Sequence, residues 1–237
     1  KAQNFRNGTD PDGRSGILRI THDGKTVGHG ILGRDDPLNK YYAYGMRNSF
    51  GIDFDPVIGT LWDTENGPAS NDEINLVKPG FNSGWQTIMG PISASGSTED
   101  ELVRFPGSHY ADPLLTWLDP IAVTDIEFLE SSSLGESYSN NVFVGDNNNG
   151  NLYYFRMNPD RSAFVLDNLP DLVVDNEDEQ SSLIFGEGFG PIADLETGPD
   201  GYLYVLSHDD GIIYRIVPSS SALSSSPTAG ADEPTST

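Results

Sequence analysis

A structural phrase recurs along this chain: a glycine, then an alternating apolar strand with an aromatic or arginine near its end. Gly16-Ile17-Leu18-Arg19-Ile20 is one copy; Glu73-Ile74-Asn75-Leu76-Val77, Gly150-Asn151-Leu152-Tyr153-Tyr154-Phe155-Arg156 and Gly211-Ile212-Ile213-Tyr214-Arg215-Ile216 are others. A second phrase leads each unit, as in Gly51-Ile52-Asp53-Phe54-Asp55-Pro56, Thr124-Asp125-Ile126-Glu127-Phe128 and Asp194-Leu195-Glu196-Thr197 before the turn at Pro199-Asp200-Gly201. The copies fall roughly 55 to 80 residues apart, close to the period of a β-propeller blade with long loops. Paired, the phrases predict three complete sheets at roughly 49 to 85, 121 to 158 and 191 to 217, preceded by the outer strand of a fourth at 16 to 21. The spread of 26 glycines and 16 prolines argues against helix interiors. The predicted class is an all-β, partial β-propeller. Propellers typically need at least four blades, so the chain reads as the second half of a larger ring.

Composition narrows the partners. Thirty-six acidic against 13 basic residues give a formal charge of -23, a surface that repels nucleic-acid phosphates and anionic lipid. Calcium, neutral sugars or cationic partners fit it better. With no cysteine, disulfides and thiolate metal sites are excluded, and no apolar run approaches the roughly 20 residues of a membrane span. Lys1-Ala2-Gln3-Asn4 reads as a cut start without an initiating Met, so the lack of a targeting segment carries no weight. Residues 1–218 form the expected folded domain. Residues 219–237, rich in Ser, Thr, Pro, Ala and Gly, read as a disordered tether or stalk, or as a plain floppy terminus.

Chemistry concentrates in Tyr44 to Gly51, Trp62 to Pro68 and Asp72 to Val77, which put an arginine, amides, carboxylates and a Gly-Pro turn into loops between short strands. The Arg47 guanidinium suits carboxylates and quinone oxygens, and carbonyls at Gly67 and Pro68 suit a hard cation such as calcium. Structural alternatives stand beside these. Arg47 could pair with Asp53, Asp55 or Glu65, and Asp72 and Glu73 could be solvated turn carboxylates. Asp146 to Gly150 reads equally as a calcium loop or an Asn/Gly turn. Asp175 to Glu179 reads as a solvated acidic loop, Trp62, Trp85 and Trp117 as packing between sheets or, near the pocket, as a face for a sugar to stack on, and His22, His29, His109 and His208 as ordinary surface or loop residues. Asn7-Gly8-Thr9 is a glycosylation sequon, meaningful only in a glycosylating secretory setting.

The patterns Tyr-Gly-x-Arg-Asn-x-x-Gly, Leu-Trp-x-x-Glu-Asn-Gly-Pro, Asp-Glu-Ile-Asn-Leu and Asn-x-Gly-Trp stand here as Tyr44 to Gly51, Leu61 to Pro68, Asp72 to Leu76 and Asn82 to Trp85. They resemble the soluble quinoprotein glucose dehydrogenases, also called glucose/sorbosone or aldose sugar dehydrogenases, and the likeness runs nearly to Pro218. The resemblance implies a six-bladed propeller that binds pyrroloquinoline quinone (PQQ) and calcium on its loop face. It implies oxidation of an aldose at the anomeric carbon to the lactone, with an external electron acceptor, an extracytoplasmic location and a possible homodimer at full length. By the same resemblance Arg47 and Asn48 contact cofactor or substrate, and Asn66, Asp72 and Thr124 line the cofactor pocket. The Gly67 and Pro68 carbonyls ligate calcium, and Glu73 belongs to a further calcium site. A cation plus Arg47 would stabilise charge developing on the reduced quinone.

The departures are cationic. Where the family carries an Arg-x-Arg-Asp motif this chain reads Pro191-Ile192-Ala193-Asp194, and the polar run around Asn148 replaces an expected lysine. Each lost charged hydrogen bond costs about 1.5 to 3 kcal/mol. The family's general-base histidine lies upstream of Lys1, so the chain by itself is expected to show no turnover. Two further readings stay open: a non-catalytic cell-surface binding propeller of the same superfamily, and a structural surface domain on its stalk.

Overall fold

Both recurring phrases become strands. The computed structural model describes residues 1–209 and 211–219; the expected tether, from 220 onward, lies outside the described residues. Ser49–Phe54, Leu61–Glu65, Asp72–Val77 and Leu115–Trp117 run antiparallel side by side, and Val173–Val174 adds a parallel outer edge. A second antiparallel sheet follows, with Val123–Phe128, Val142–Asp146, Leu152–Phe155 and Ile184–Gly186 in that order. A third comprises Ile192–Thr197, Leu203–Ser207 and Ile212–Arg215. Its hairpin turns at Gly201, where φ is +78°, a conformation that glycine adopts without steric cost.

The N-terminal sheet is larger than the one strand expected at 16 to 21. It orders Gly16–Leu18, Tyr41–Tyr44, Phe81–Asn82 and His109–Tyr110, with the last two joined by parallel pairing. Phe81 to Trp85 therefore leave the sheet expected at 49 to 85. A turn at Lys78, where Phe81 N–H donates to Lys78 O at 2.9 Å, delivers the chain to its neighbour. The helices of the described residues are short. Glu177–Leu183 begins inside the run expected as an acidic loop: the Asn176 side chain accepts from Glu179 N–H at 3.0 Å, and three acidic residues in the first turn favour the helix dipole. Among the described residues no helix is long and apolar enough to cross a membrane.

The sheets stack face on face. Leu61–Glu65 and Val142–Asp146 are buried along their whole length, covered on both faces. Trp62 meets Phe128 edge-on at 5.8 Å and Trp117 meets Tyr153 at 5.3 Å, joining the first two of these sheets. Phe143, Leu152, Leu195, Leu203 and Val205 fill the next interface. Stacking brings the three leading strands together. Asp53 accepts from Phe128 N–H at 2.8 Å, Asp125 from Leu195 N–H at 2.9 Å and Glu127 from Thr197 N–H at 2.8 Å. The starts of these strands converge on one cavity.

Candidate functional site

That cavity, about 410 Å³, opens among Asn48, Asn66, Thr124 and Ala193. Asn66 ties two sheets: its amide donates to Val123 O at 2.8 Å and its backbone N–H to Asn48 O at 2.9 Å. Thr124 is buried, and its hydroxyl has no hydrogen-bond partner. That oxygen is enclosed beside Gly145, not exposed to the cavity, so a ligand reaches it through a rotation of the Thr124 side chain. Phe50 and Asn147 also line the space. Asn147 is held there because its N–H donates to Ala122 O at 2.9 Å. The Asp146 carboxylate accepts from Asn149 N–H at 2.8 Å, Gly150 N–H at 2.7 Å and the Tyr153 hydroxyl at 2.8 Å. That network explains the Asp146 to Gly150 loop as a capped turn. His208 completes the wall.

Arg47 borders this space through Asn66, to whose carbonyl it donates at 2.9 Å, while its guanidinium lies 5.7 Å from the Trp85 ring. Its backbone N–H donates to Glu65 Oε1 at 2.6 Å. The guanidinium pairs with neither Asp53 nor Asp55; Asp55 takes Arg161 at 2.6 Å. Asp72 is fully buried, and both its oxygens are engaged: Oδ1 accepts from Gly67 N–H at 2.8 Å and Oδ2 from Ala122 N–H at 2.7 Å. It braces the Gly67 turn against the neighbouring sheet from behind the wall. Gly67 and Pro68 are left with their carbonyls.

Glu73 sits apart, inside its sheet. It lies opposite Glu65 in register and accepts from Gly90 N–H at 2.6 Å. Asp63, Glu65 and Glu73 are all buried. Burial pushes Glu65 up to about 7 and holds Asp63 and Glu73 well above the usual carboxylate range, with Glu65 adding repulsion to both. Among the described residues no group of three or more His, Asp or Glu is placed to hold a metal ion. A larger groove of about 690 Å³ is lined by Asp53, Asp125, Glu127, Glu130, Asp194 and Glu196. Burial there raises Asp125 to about 7 and Glu127 to about 8. The smaller cavity carries no carboxylate on its wall, in a chain of formal charge -23.

Residues 2–215 match the Glucose / Sorbosone dehydrogenase family. The chain belongs to that family. It is 28% identical over 210 residues to the aldose sugar dehydrogenase YliI of Escherichia coli K12, covering 85% of this chain and 50% of that protein. A shorter stretch of 85 residues is 36% identical to quinoprotein glucose dehydrogenase B of Acinetobacter calcoaceticus, covering 34% of this chain and 16% of that protein. The apo form of the soluble E. coli aldose sugar dehydrogenase superposes with a TM-score of 0.55 at 26% identity, over 80% of this chain and 50% of that one. The PQQ-bound aldose sugar dehydrogenase of Streptomyces coelicolor shares the fold, with a TM-score of 0.56 at 23% identity over 86% of this chain and 51% of that one. The chain spans about half the length of the curated relatives it matches. In this glucose/sorbosone dehydrogenase family member, Asn48, Asn66 and Thr124 share one cavity, Arg47 and the Gly67-Pro68 turn adjoin it, Asp72 stands behind it and Glu73 is elsewhere. Phe50 and Asn147 lie within stretches that stand out in the sequence, Tyr44 to Gly51 and Asp146 to Gly150, but nothing there assigns either to a pocket; His208 reads from sequence as an ordinary surface or loop residue.

Proposed function

We propose that these residues form the quinone-binding part of a sugar dehydrogenase that uses PQQ and calcium to oxidise an aldose at its anomeric carbon, delivering electrons to an external acceptor. The observation that carries the reading is the cavity itself: carboxylate-free, walled by amides and an aromatic ring, with the Thr124 hydroxyl buried and unpartnered. A planar, hydrogen-bond-accepting anion fits that set of groups. When bound, PQQ supplies a two-electron oxidant and calcium a positive charge beside it. The chain's own residues bind and orient. Asn48 and Asn66 offer amides, Thr124 a hydroxyl donor, Phe50 an apolar face, and Arg47 a cation at the margin. The Gly67 and Pro68 carbonyls are the proposed calcium donors. Two carbonyls fall short of the six to eight oxygens calcium takes, so ligand and water oxygens complete the set.

The same proposal makes the stacked sheets consecutive blades of a β-propeller, six-bladed at full relative length. An extracytoplasmic setting and a homodimer belong to it too, the former on the strength of the Ser/Thr/Pro-rich tail. The absence of cations at Pro191, Ala193 and Asn148 favours a second reading, a propeller that binds without catalysis. Titrating PQQ into the chain in the presence of calcium, followed by tryptophan fluorescence, tests the site. Saturable binding should weaken severalfold in Thr124→Val, while stability holds or rises because an unsatisfied buried hydroxyl is removed. Wild-type affinity in Thr124→Val, or no saturable binding, would count against the cavity as the quinone site.

A further inference from the structure

We propose that His208 is the anion-pairing side chain of this cavity, meeting a carboxylate of a planar aromatic polycarboxylate from the wall built by the C-terminal sheet. The inference rests on the quinone-pocket reading and names the residue that answers the ligand's negative charge. The strand Leu203–Ser207 ends one residue before His208, and Ser207 pairs with Ile192 across the sheet. His208 N–H then donates to Pro191 O at 2.8 Å. This fixes the histidine backbone beside Ile192 and Ala193, which line the same cavity.

Chemistry singles it out. Of the residues lining the cavity, His208 is the one whose side chain can carry positive charge; the others bear amides, a hydroxyl and apolar groups. Arg47 is already engaged with Asn66 O and the Trp85 ring, and Pro191, Ala193 and Asn148 give this wall no cation. His208 Nδ1 lies 2.7 Å from Asp209 Oδ1. The Asp209 carboxylate on Nδ1 orients the imidazole, and only the doubly protonated ring then offers Nε2–H as a donor to a ligand carboxylate. The side chain is 71% exposed, so it makes little contribution to packing and its replacement leaves the core intact. An exposed imidazole at the rim of a carboxylate-free cavity, with Asp209 as its side-chain partner, is free to be replaced without disturbing the fold.

Calorimetric titration of the 237-residue chain at pH 5.5 with two probes, PQQ and benzene-1,3,5-tricarboxylate, tests this in wild type, His208→Ala and His208→Arg. Both probes should bind about tenfold more weakly to His208→Ala, the lower end for a charge-assisted hydrogen bond at an exposed site. His208→Arg should restore affinity, and melting temperatures should coincide. Affinities within twofold of wild type in His208→Ala, or failure of His208→Arg to recover what the alanine loses, would overturn the inference. If PQQ binds regardless of His208, the pocket reading stands and the inference falls. His208-dependent binding of the tricarboxylate without PQQ binding would leave the inference standing and defeat the pocket reading. Binding of neither probe defeats both.

Discussion

Asp72 carries its weight through hydrogen bonds that no local pattern announces. Its carboxylate holds Gly67 N–H on one side and Ala122 and Val123 N–H on the other, at 2.8, 2.7 and 3.3 Å. Asp72→Ala strands those donors and should cost about 3 kcal/mol or more in denaturant unfolding; a loss below about 1 kcal/mol would show that the bracing is dispensable. The buried acids make a second prediction. Burial raises Glu65 to about 7 and Glu127 to about 8, from an ordinary 4.5. The folded state therefore binds more protons than the unfolded chain across roughly pH 4.5 to 8, and stability falls as pH rises through that window. Melting temperature should drop by several degrees between pH 5.5 and 8.5, at roughly 2–4 °C per kcal/mol for a chain of this size. Glu65→Gln, which keeps an acceptor for Arg47 N–H, should flatten the slope; a melting temperature that climbs with pH would contradict the assignment. At this scale the sequence exposed Asn48, Asn66 and Thr124 because they sit in recognisable motifs. The role of Asp72 was hidden because a braced carboxylate and a ligand-facing one have the same letter.

Gly51 shows how elements are held close enough to share a site. A Cβ placed there would sit 2.7 Å from Asp125 Cα, so the leading strands of two sheets approach only because residue 51 has no side chain. Gly51→Ala should cost about 1–3 kcal/mol by overpacking and widen the gap that Asp53 bridges to Phe128 N–H. Wild-type stability on chemical unfolding would argue that the sheets have room to relax. Ser49–Phe54 and Leu203–Ser207 were legible from their alternation, whereas Tyr41–Tyr44, nearly all aromatic, was not. Phe81–Asn82, His109–Tyr110 and Val173–Val174 were not. Each is two residues long, too short to display a period, and each pairs in parallel with a strand far along the chain. His208 escaped for a different reason: it follows a legible strand but reaches the cavity only once three sheets are stacked.

Across the whole molecule, the stacking order puts one apolar row in solvent. Phe50, Ile52 and Phe54 project from one side of a leading strand, each more than half exposed, with Val57 and Ile58 beyond its end. Such a patch promotes association. Sedimentation velocity should show concentration-dependent self-association that Ile52→Ser with Phe54→Ser reduces; a monomer at every concentration would leave that row without consequence. The mostly-β class and the stacked units followed from the recurring phrases, whereas the convergence of three strand starts on one carboxylate-free cavity depends on how the sheets stack. That cavity is the proposed quinone site. Its most direct test is a crystal structure of the chain grown with PQQ and calcium. Quinone density is expected against Asn48, Asn66 and Thr124, with a calcium ion within about 2.6 Å of the Gly67 and Pro68 carbonyls. Quinone bound elsewhere on the chain, or a cavity holding only water at saturating ligand, would contradict it.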